Sequence, residues 1–253
     1  MGLFKKKEED DSFVIVEHRN TLHKNLKFTA TEQYKLLRTN LGFILPEGEK
    51  CHVVGVTSSI RGEGKSTTAI NLAYVLAENG SRVLLIDGDM RFPSVARKMR
   101  IKSSPGLTNL LLKKEVPMET FATSLLTTLF VMPSGPIPPN PSELLGSQRM
   151  EALLDELKES FDYILLDLPP VNIVSDALSV SGLISGMIVV VREEYTEKKE
   201  LENCIRQLKL SNVNLLGFVM NDSKSSDGSY SKYKKSKYYK NSGYYKSTKV
   251  PKP

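Results

Sequence analysis

The sequence predicts a three-layer α/β domain with a mainly parallel central sheet. Short apolar segments alternate with longer amphipathic segments from residue 51 to residue 221. The stretches between the apolar segments are long enough for the helical crossovers that parallel strands require. A chain of 253 residues with 40% hydrophobic and 25% charged residues is typical of one large globular domain with extensions. Helices are therefore expected on both faces of the sheet, and a ligand at the carboxyl ends of the strands.

Three regions of the chain differ in composition. Residues 1–28 are interpreted as a flexible segment, because their first dozen residues are highly charged and lack periodicity. Residues 29–222 form the α/β domain, and residues 223–253 a disordered tail rich in Tyr and Lys. No apolar run reaches the roughly 20 residues that a membrane helix needs, and no signal peptide opens the chain. The expected location is the cytoplasm.

The first predicted element is a helix over about residues 31–44. Thr29 and Glu32 have the spacing of a capping box, in which two side chains satisfy backbone N–H groups at a helix start. Apolar residues then recur at roughly helical spacing up to Ile44.

A β-α-β unit follows. Residues 51–57 predict a strand, residues 65–78 a helix that Asn79 and Gly80 end, and residues 82–89 a second strand. Further apolar segments predict four more strands at residues 128–133, 163–168, 187–192 and 214–221.

Two more helices are expected to pack on this sheet, one with Ser147 as N-cap and one with Thr196 as N-cap. The proline-rich segment 133–145 is expected to be an extended loop over one end of the sheet, because proline disrupts regular structure. Cys51 and Cys204 are interpreted as core residues. The cysteines and histidines lack metal-ligand spacing, so we expect neither a disulfide framework nor a zinc site.

Residues 57–67, TSSIRGEGKST, have the pattern of a phosphate-binding P-loop, and the fold is therefore expected to be that of a P-loop NTPase. They follow a strand and open a helix, where backbone N–H groups and the helix dipole favour phosphate. Lys65 is expected to reach the β- and γ-phosphates, and Ser66 to ligate Mg²⁺. The alternative is a capped turn with incidental Gly and Lys. The expected ATP contacts are Ser59, which replaces the first glycine of the motif, Arg61, Gly62, Glu63, Gly64, Lys65, Ser66 and Thr67.

Two acidic residues, Asp87 and Asp89, stand where the second strand leaves the sheet. Beside a P-loop they are best explained as Mg²⁺ contacts or as a base for an attacking hydroxyl. The alternative is that they cap the next helix. Arg91 is a further candidate for neutralising phosphate charge.

A third acidic residue, Asp167, ends the apolar segment YILLD. In P-loop proteins, the acid that holds Mg²⁺ has the same position at the end of an apolar strand. Lysine, hydroxyl and carboxylates at three strand ends together predict binding of ATP or GTP. Asn221, at the end of the last strand, is a candidate adenine contact. Equally, it is an asparagine that starts a loop.

Six of the chain's ten tyrosines lie in the tail, among residues that cannot form a core. They are candidate phosphoacceptors. The tail has nine lysines and one aspartate, a local charge of +8 within a formal total of +6, so basicity is a property of the tail and we expect no nucleic-acid partner. The alternative is a tail that adheres to RNA, polysaccharide or membrane. The six tyrosines are Tyr230, Tyr233, Tyr238, Tyr239, Tyr244 and Tyr245.

Most of residues 30–221 resembles the bacterial tyrosine kinases (BY-kinases) of capsular and exopolysaccharide synthesis. The resemblance rests on TSSIRGEGKSTTAINLA, LLIDGDMRFPS, GLTNLL, SGPIPPNPSELL, YILLDLPPV and the tyrosine-rich tail. It implies an ATP-dependent protein-tyrosine kinase that phosphorylates its own tail tyrosines in trans. It also implies that Lys65 and Ser66 bind ATP–Mg²⁺, and that Asp87, Asp89 and Asp167 bind metal and activate the tyrosine hydroxyl. Arg61 stands where the family usually has proline, and Leu168 where threonine is common.

The resemblance also implies assembly. In the family a helix motif, E-x-x-R-x-x-R, builds a ring, expected to be an octamer, and here Glu32, Lys35 and Arg38 occupy its positions. The chain looks like the split type, in which a separate membrane-spanning protein of polysaccharide export activates the kinase and recruits it to the inner face of the membrane. A cognate tyrosine phosphatase is expected as a further partner.

Two other functions compete with this interpretation. A positioning ATPase of the ParA/MinD kind is disfavoured because Ile60 stands where those proteins resemble one another in a signature lysine. A nucleotide-sensing regulatory subunit without catalysis is the third, since the same residues could serve binding alone.

Overall fold

The computed structural model describes residue 26, residues 28–112 and residues 123–222. The helices are α1 (Phe28–Ile44), α2 (Lys65–Glu78), α3 (Val95–Met99), α4 (Leu107–Leu112), α5 (Pro141–Leu145), α6 (Gln148–Lys158), α7 (Asp176–Ser179) and α8 (Lys198–Leu210). The strands are β1 (His52–Ser58), β2 (Val83–Asp87), β3 (Thr123–Leu126), β4 (Leu129–Met132), β5 (Tyr163–Asp167), β6 (Gly186–Arg192) and β7 (Leu215–Asn221). Within these ranges no helix is long and apolar enough to cross a membrane.

The seven strands form one sheet in the order β3-β4-β2-β5-β1-β6-β7. All neighbours are parallel except β3, which is antiparallel to β4 at the edge. The P-loop strand β1 lies between β5 and β6. The register of β2 against β5 sets Asp87 beside Asp167, so two predicted site acids reach the same edge of the sheet.

Helices cover both faces of the sheet. Because side chains alternate across a strand, Leu84 and Ile86 face one core and Leu85 faces the other. Helices α1, α2 and α3 contribute to the core that contains Leu85, whereas α4, α5, α6 and α8 contribute to the opposite core. The three-layer architecture is confirmed.

Cys51 and Cys204 are buried free thiols, as predicted. Burial raises the pKa of Cys51 to about 12 and that of Cys204 to about 11. Both thiols therefore stay protonated at neutral pH.

Two predicted helix starts were wrong and one was confirmed. Helix α1 begins at Phe28, so Thr29 lies in its first turn and does not precede it. The N-cap of α8 is Glu197, because the Thr196 hydroxyl is instead bonded to the Glu63 carboxylate. Ser147 caps α6 by accepting the Met150 N–H at 3.3 Å.

The proline-rich segment is only partly extended. Residues 141–145 form helix α5, because Pro141 stands in the first turn, where its missing N–H costs no hydrogen bond. The short helices α3, α4 and α7 were not predicted, since helices of four to six residues are too short to show a helical period. The edge strand β3 was not predicted either.

Candidate active site

The P-loop occupies residues 59–64, between the end of β1 and the start of α2. Gly62 and Gly64 have φ values of 86° and 98°, in the left-handed region that favours glycine. A Cβ at Gly64 would also lie 2.1 Å from the side-chain nitrogen of Asn221. These two positions therefore require glycine, as the motif predicted.

Four side-chain hydrogen bonds brace this loop. The Glu63 carboxylate accepts the Ile60 N–H at 2.8 Å and the Thr196 hydroxyl. The Asn221 side-chain nitrogen donates to the Glu63 carbonyl at 2.9 Å, and the Tyr195 hydroxyl donates to the Arg61 carbonyl at 3.1 Å. The buried Glu63 side chain thus holds the loop itself, and only its backbone remains for a nucleotide. The Asn221 amide nitrogen, proposed for adenine, contacts the loop.

Lys65 lies between two carboxylates. Its Nζ is 2.8 Å from Asp89 Oδ2 and 3.4 Å from Asp167 Oδ1. The side chains of Lys65, Asp89 and Asp167 are 12%, 5% and 0% exposed. Burial alone would lower the pKa of the ammonium, but the charges of Asp167 and Asp89 outweigh it and raise that pKa above its ordinary value. The lysine is therefore held charged inside the site.

The sequence left two roles open for Asp87, a carboxylate of the active site and a cap of the next helix. Asp87 has the features of both. Its Oδ2 accepts the N–H groups of Ser94 and Val95 at 3.0 and 2.9 Å, so it caps α3. Burial first, and then the charge of Asp167, raise its pKa to about 8. Burial also raises the pKa of Asp167, against the opposing effects of Lys65 and Ser66.

Two buried carboxylate oxygens have no hydrogen-bond partner in the described part of the chain, Asp87 Oδ1 and Asp167 Oδ2. Unpartnered buried oxygens beside the Ser66 hydroxyl suit a hard cation such as Mg²⁺. Across residues 28–112 and 123–222, no group of three or more His, Cys, Asp or Glu could hold a metal by itself. A cation here would thus need further oxygens, such as those of a nucleotide's phosphates.

Arg91, proposed to neutralise phosphate charge, is paired with Asp176. Its Nε is 2.8 Å from Asp176 Oδ2 and its Nη2 3.1 Å from Oδ1. Asp176 is buried and also accepts the Ser142 hydroxyl. This pair ties the loop after β2 to α5 and α7. Asp176 was not predicted from the sequence, because its signal was only an acid at the start of a four-residue helix.

The other proposed nucleotide contacts have different surroundings. The Arg61 guanidinium stacks on the Phe92 ring, 3.8 Å from its centroid. Ser59 is fully buried, and its carbonyl accepts the Asn172 N–H at 3.2 Å. The Thr67 hydroxyl accepts a hydrogen bond from Lys98 Nζ at 3.1 Å. Of these three residues, Arg61 alone is exposed.

The proposed assembly residues lie on α1. Lys35 pairs with Glu32 at 3.1 Å on the same helix. Arg38 Nη1 donates to the Val75 carbonyl of α2 at 2.9 Å, so it anchors α1 to the domain. The proposed phosphoacceptor tyrosines of the tail lie outside the described residues.

Comparison with known proteins decides the family. The family model described as "AAA domain" matches residues 52–217. Over 200 residues the chain is 40% identical to tyrosine-protein kinase YwqD of Bacillus subtilis (strain 168), covering 79% of this chain and 84% of that protein. The chain belongs to the bacterial tyrosine kinases. It is also 32% identical to the putative tyrosine-protein kinase CapB of Staphylococcus aureus, over 79% of this chain and 87% of that protein.

Solved structures agree with membership of the tyrosine-kinase family. The crystal structure of the chimerical protein CapA2B2 has a TM-score of 0.71 and 34% identity, over 76% of this chain and 84% of that one. The kinase domain of Escherichia coli ETK has a TM-score of 0.71 and 29% identity, over 77% and 78%. The septum site-determining protein MinD of Pyrococcus horikoshii OT3, at 22% identity and a TM-score of 0.58 over 70% and 72%, shares the fold alone.

Proposed function

We propose that this protein transfers the γ-phosphoryl group of ATP to protein tyrosines. The observation that carries the proposal is the buried Lys65, held between Asp89 and Asp167 at the end of a P-loop. Phosphoryl transfer proceeds mainly by positioning the reactants and neutralising charge, which is what a fixed cation and adjacent carboxylates provide. The relative YwqD, which is named a tyrosine-protein kinase, supports the choice of tyrosine as acceptor.

ATP–Mg²⁺ is the proposed cofactor. The N–H groups of residues 62–66 would cradle the phosphates at the start of α2, with Lys65 as the countercharge. Ser66, Asp87 and Asp167 would hold Mg²⁺. The ion would supply charge neutralisation at the phosphates. Two proteins of this fold, MinD and a cobyrinic acid a,c-diamide synthase, were solved with Mg-ADP and with an ATP analogue and magnesium, respectively.

Asp87 is the stronger candidate for the base that takes the tyrosine proton. One of its oxygens lacks a hydrogen-bond partner within the described residues, so that oxygen can accept a proton. Both oxygens of Asp89 are engaged, one by Lys65 and the other by the Phe92 N–H at 3.0 Å. Asp89 thus orients Lys65.

The proposed acceptors are the six tail tyrosines, from Tyr230 to Tyr245, of a neighbouring copy. Assembly through Glu32, Lys35 and Arg38 on α1, in a ring expected to be octameric, would bring tails to neighbouring sites. A separate membrane protein would activate the kinase at the inner face of the membrane, and a tyrosine phosphatase would reverse the reaction. The process regulated would be synthesis and export of capsular or extracellular polysaccharide.

The test uses the full chain purified from its own cells with its natural partners, beside a Lys65→Met variant. Both proteins are incubated with ATP–Mg²⁺, and phosphotyrosine is mapped by mass spectrometry. Phosphate gained on the tail in the wild type alone would establish the kinase. ATP hydrolysis by the wild type without phosphotyrosine would instead favour a positioning ATPase.

A further inference from the structure

We propose that Tyr195 is a regulatory phosphoacceptor within the kinase domain, and that its phosphorylation loosens the P-loop; this rests on the proposed function. Tyr195 lies between β6 and α8 and is 48% exposed. The other tyrosines within the described residues, Tyr34, Tyr74 and Tyr163, are buried or half-buried. Tyr195 is therefore the tyrosine of the described domain that a second copy of the chain can reach.

The Tyr195 hydroxyl touches the P-loop directly. It donates to the Arg61 carbonyl at 3.1 Å, and a Cβ at Gly62 would lie 3.0 Å from it. The Arg192 guanidinium lies 5.1 Å from the ring centroid. The ring thus packs against the loop backbone at residues 61 and 62, with a cation beside it.

Tyr195 is one of three residues that form what we call the P-loop clasp, together with Thr196 and Asn221. The Thr196 hydroxyl binds the Glu63 carboxylate, and the Asn221 amide binds the Glu63 carbonyl. The three residues fix the loop between Arg61 and Glu63 from its outer side. Their contacts are made to the carbonyl and side-chain groups of the loop, which leaves the N–H groups of residues 62–66 to bind phosphate.

The reaction at Tyr195 would be the same transfer as at the tail. The bond between the γ-phosphorus and the β–γ bridging oxygen breaks, a bond forms from that phosphorus to the Tyr195 oxygen, and ADP leaves. The hydroxyl proton passes to the carboxylate base of the donor site. Because the hydroxyl meets a loop carbonyl, whereas nucleotide phosphates would meet the loop N–H groups, the phosphoryl donor is the active site of a second copy.

Phosphorylation would replace the hydrogen bond between the Tyr195 hydroxyl and the Arg61 carbonyl with repulsion. The hydroxyl donor becomes a group with about −1.5 to −2 charges and no donor for the Arg61 carbonyl. The new charge lies against the loop backbone at residues 61 and 62 and repels phosphates bound to the loop. It also attracts the Arg61 guanidinium away from the Phe92 ring. Weaker ATP binding follows, so the modification acts as negative feedback on the kinase.

The first experiment asks whether Tyr195 is modified. Affinity-tagged full-length Lys65→Met protein is mixed with ATP–Mg²⁺ and with untagged wild type purified together with its natural partners, recovered, and mapped by mass spectrometry. We expect phosphate on Tyr195 as well as on the tail. Phosphate on the tail alone would overturn the inference and leave the proposed function standing, whereas phosphate on neither would overturn both.

The second experiment asks what the charge does. Full-length Tyr195→Phe and Tyr195→Glu variants are titrated with a fluorescent ATP analogue. The Phe variant loses one hydrogen bond, so we expect a roughly 2- to 10-fold weaker Kd, and the Glu variant should bind at least about 10-fold more weakly than the Phe variant. Leu210→Glu, at a residue 78% exposed at the end of α8, adds the same charge away from the loop and should leave Kd unchanged. Equal Kd values for the two Tyr195 variants would overturn the regulatory role.

Discussion

The two edges of the sheet contain the same kinds of charged residue in opposite settings. At the carboxyl edge, Lys65 and Asp89 are 2.8 Å apart with side chains 12% and 5% exposed. At the amino edge, Lys50 and Glu159 are 2.5 Å apart with side chains 65% and 70% exposed. Solvent screens the second pair, so it stabilises the fold little. The first pair is shielded from solvent, so each charge there depends on its partners.

One open depression lies away from the candidate active site. A depression of about 400 Å³ lies at the amino edge, lined by Glu49, Lys50, Lys158 and residues 182–185 among others. The raised carboxylate pKa values and the unpartnered buried oxygens lie at the opposite edge. Burial of interacting charges distinguishes the candidate active site from this depression.

The largest loss of stability should come from removing the largely buried cation. Lys65→Met leaves Asp89 and Asp167 without their countercharge, so we expect the free energy of unfolding at pH 7.5 to fall by about 3 kcal/mol. The penalty should shrink towards pH 5, because uncompensated carboxylates take up protons more readily at lower pH. Urea denaturation of the variant and the wild type at pH 7.5 and at pH 5 measures this loss of stability.

The matched variant at the other edge is Lys50→Met. Its exposed pair with Glu159 should contribute less than about 1 kcal/mol at either pH. Equal losses for the two lysine variants would show that burial does not separate the two edges.

The next effect concerns Asp87, whose folded-state pKa is about 8 against about 4 in an unfolded chain. Between these values folding takes up a proton, so this residue makes the wild type less stable as pH rises from about 4 to 8. Asp87→Asn removes that titration and retains an oxygen to cap α3. Its stability relative to wild type should increase across the window by up to about 1.4 kcal/mol per pH unit, while kinase activity is lost.

Denaturation midpoints at several pH values, with Asp155→Asn as control, test the Asp87 prediction. Asp155 is 63% exposed and pairs with Lys158 at 2.9 Å, so its replacement should be nearly neutral at every pH. A pH-independent difference between Asp87→Asn and wild type would contradict the raised pKa.

The smallest effect compares the two ends of β7. The Asn221 side chain donates to the Glu63 carbonyl at the carboxyl edge, and the Asn214 side chain to the Ser185 carbonyl at 2.8 Å at the amino edge. Either alanine variant should lower stability by about 1 kcal/mol or less. Only Asn221→Ala should weaken nucleotide binding, by several-fold, because it loosens the P-loop clasp. Nucleotide titration of both variants checks this, and equal affinities would remove Asn221 from the clasp.

Much of the fold could be predicted because it depends on local patterns. Six of the seven strands and the helices α1, α2, α6 and α8 have clear periods or clear boundaries. The gathering of Lys65, Asp87 and Asp167 was also predictable, since parallel strands bring their carboxyl ends to one edge. The missed elements were those too short for a period, and β3, which pairs only at the edge.

The sequence by itself therefore determined the sheet, the P-loop with its required glycines, and the acids that share its edge. Only the tertiary structure decided which side chains meet, as with Lys65 and Asp89, 24 residues apart, or Asn221 and Glu63, 158 apart. It turned Glu63 inward, bound Arg91 to Asp176 and placed Tyr195 on the loop. The reason is physical: backbone conformation follows from neighbouring residues, whereas side-chain partners depend on how distant elements pack.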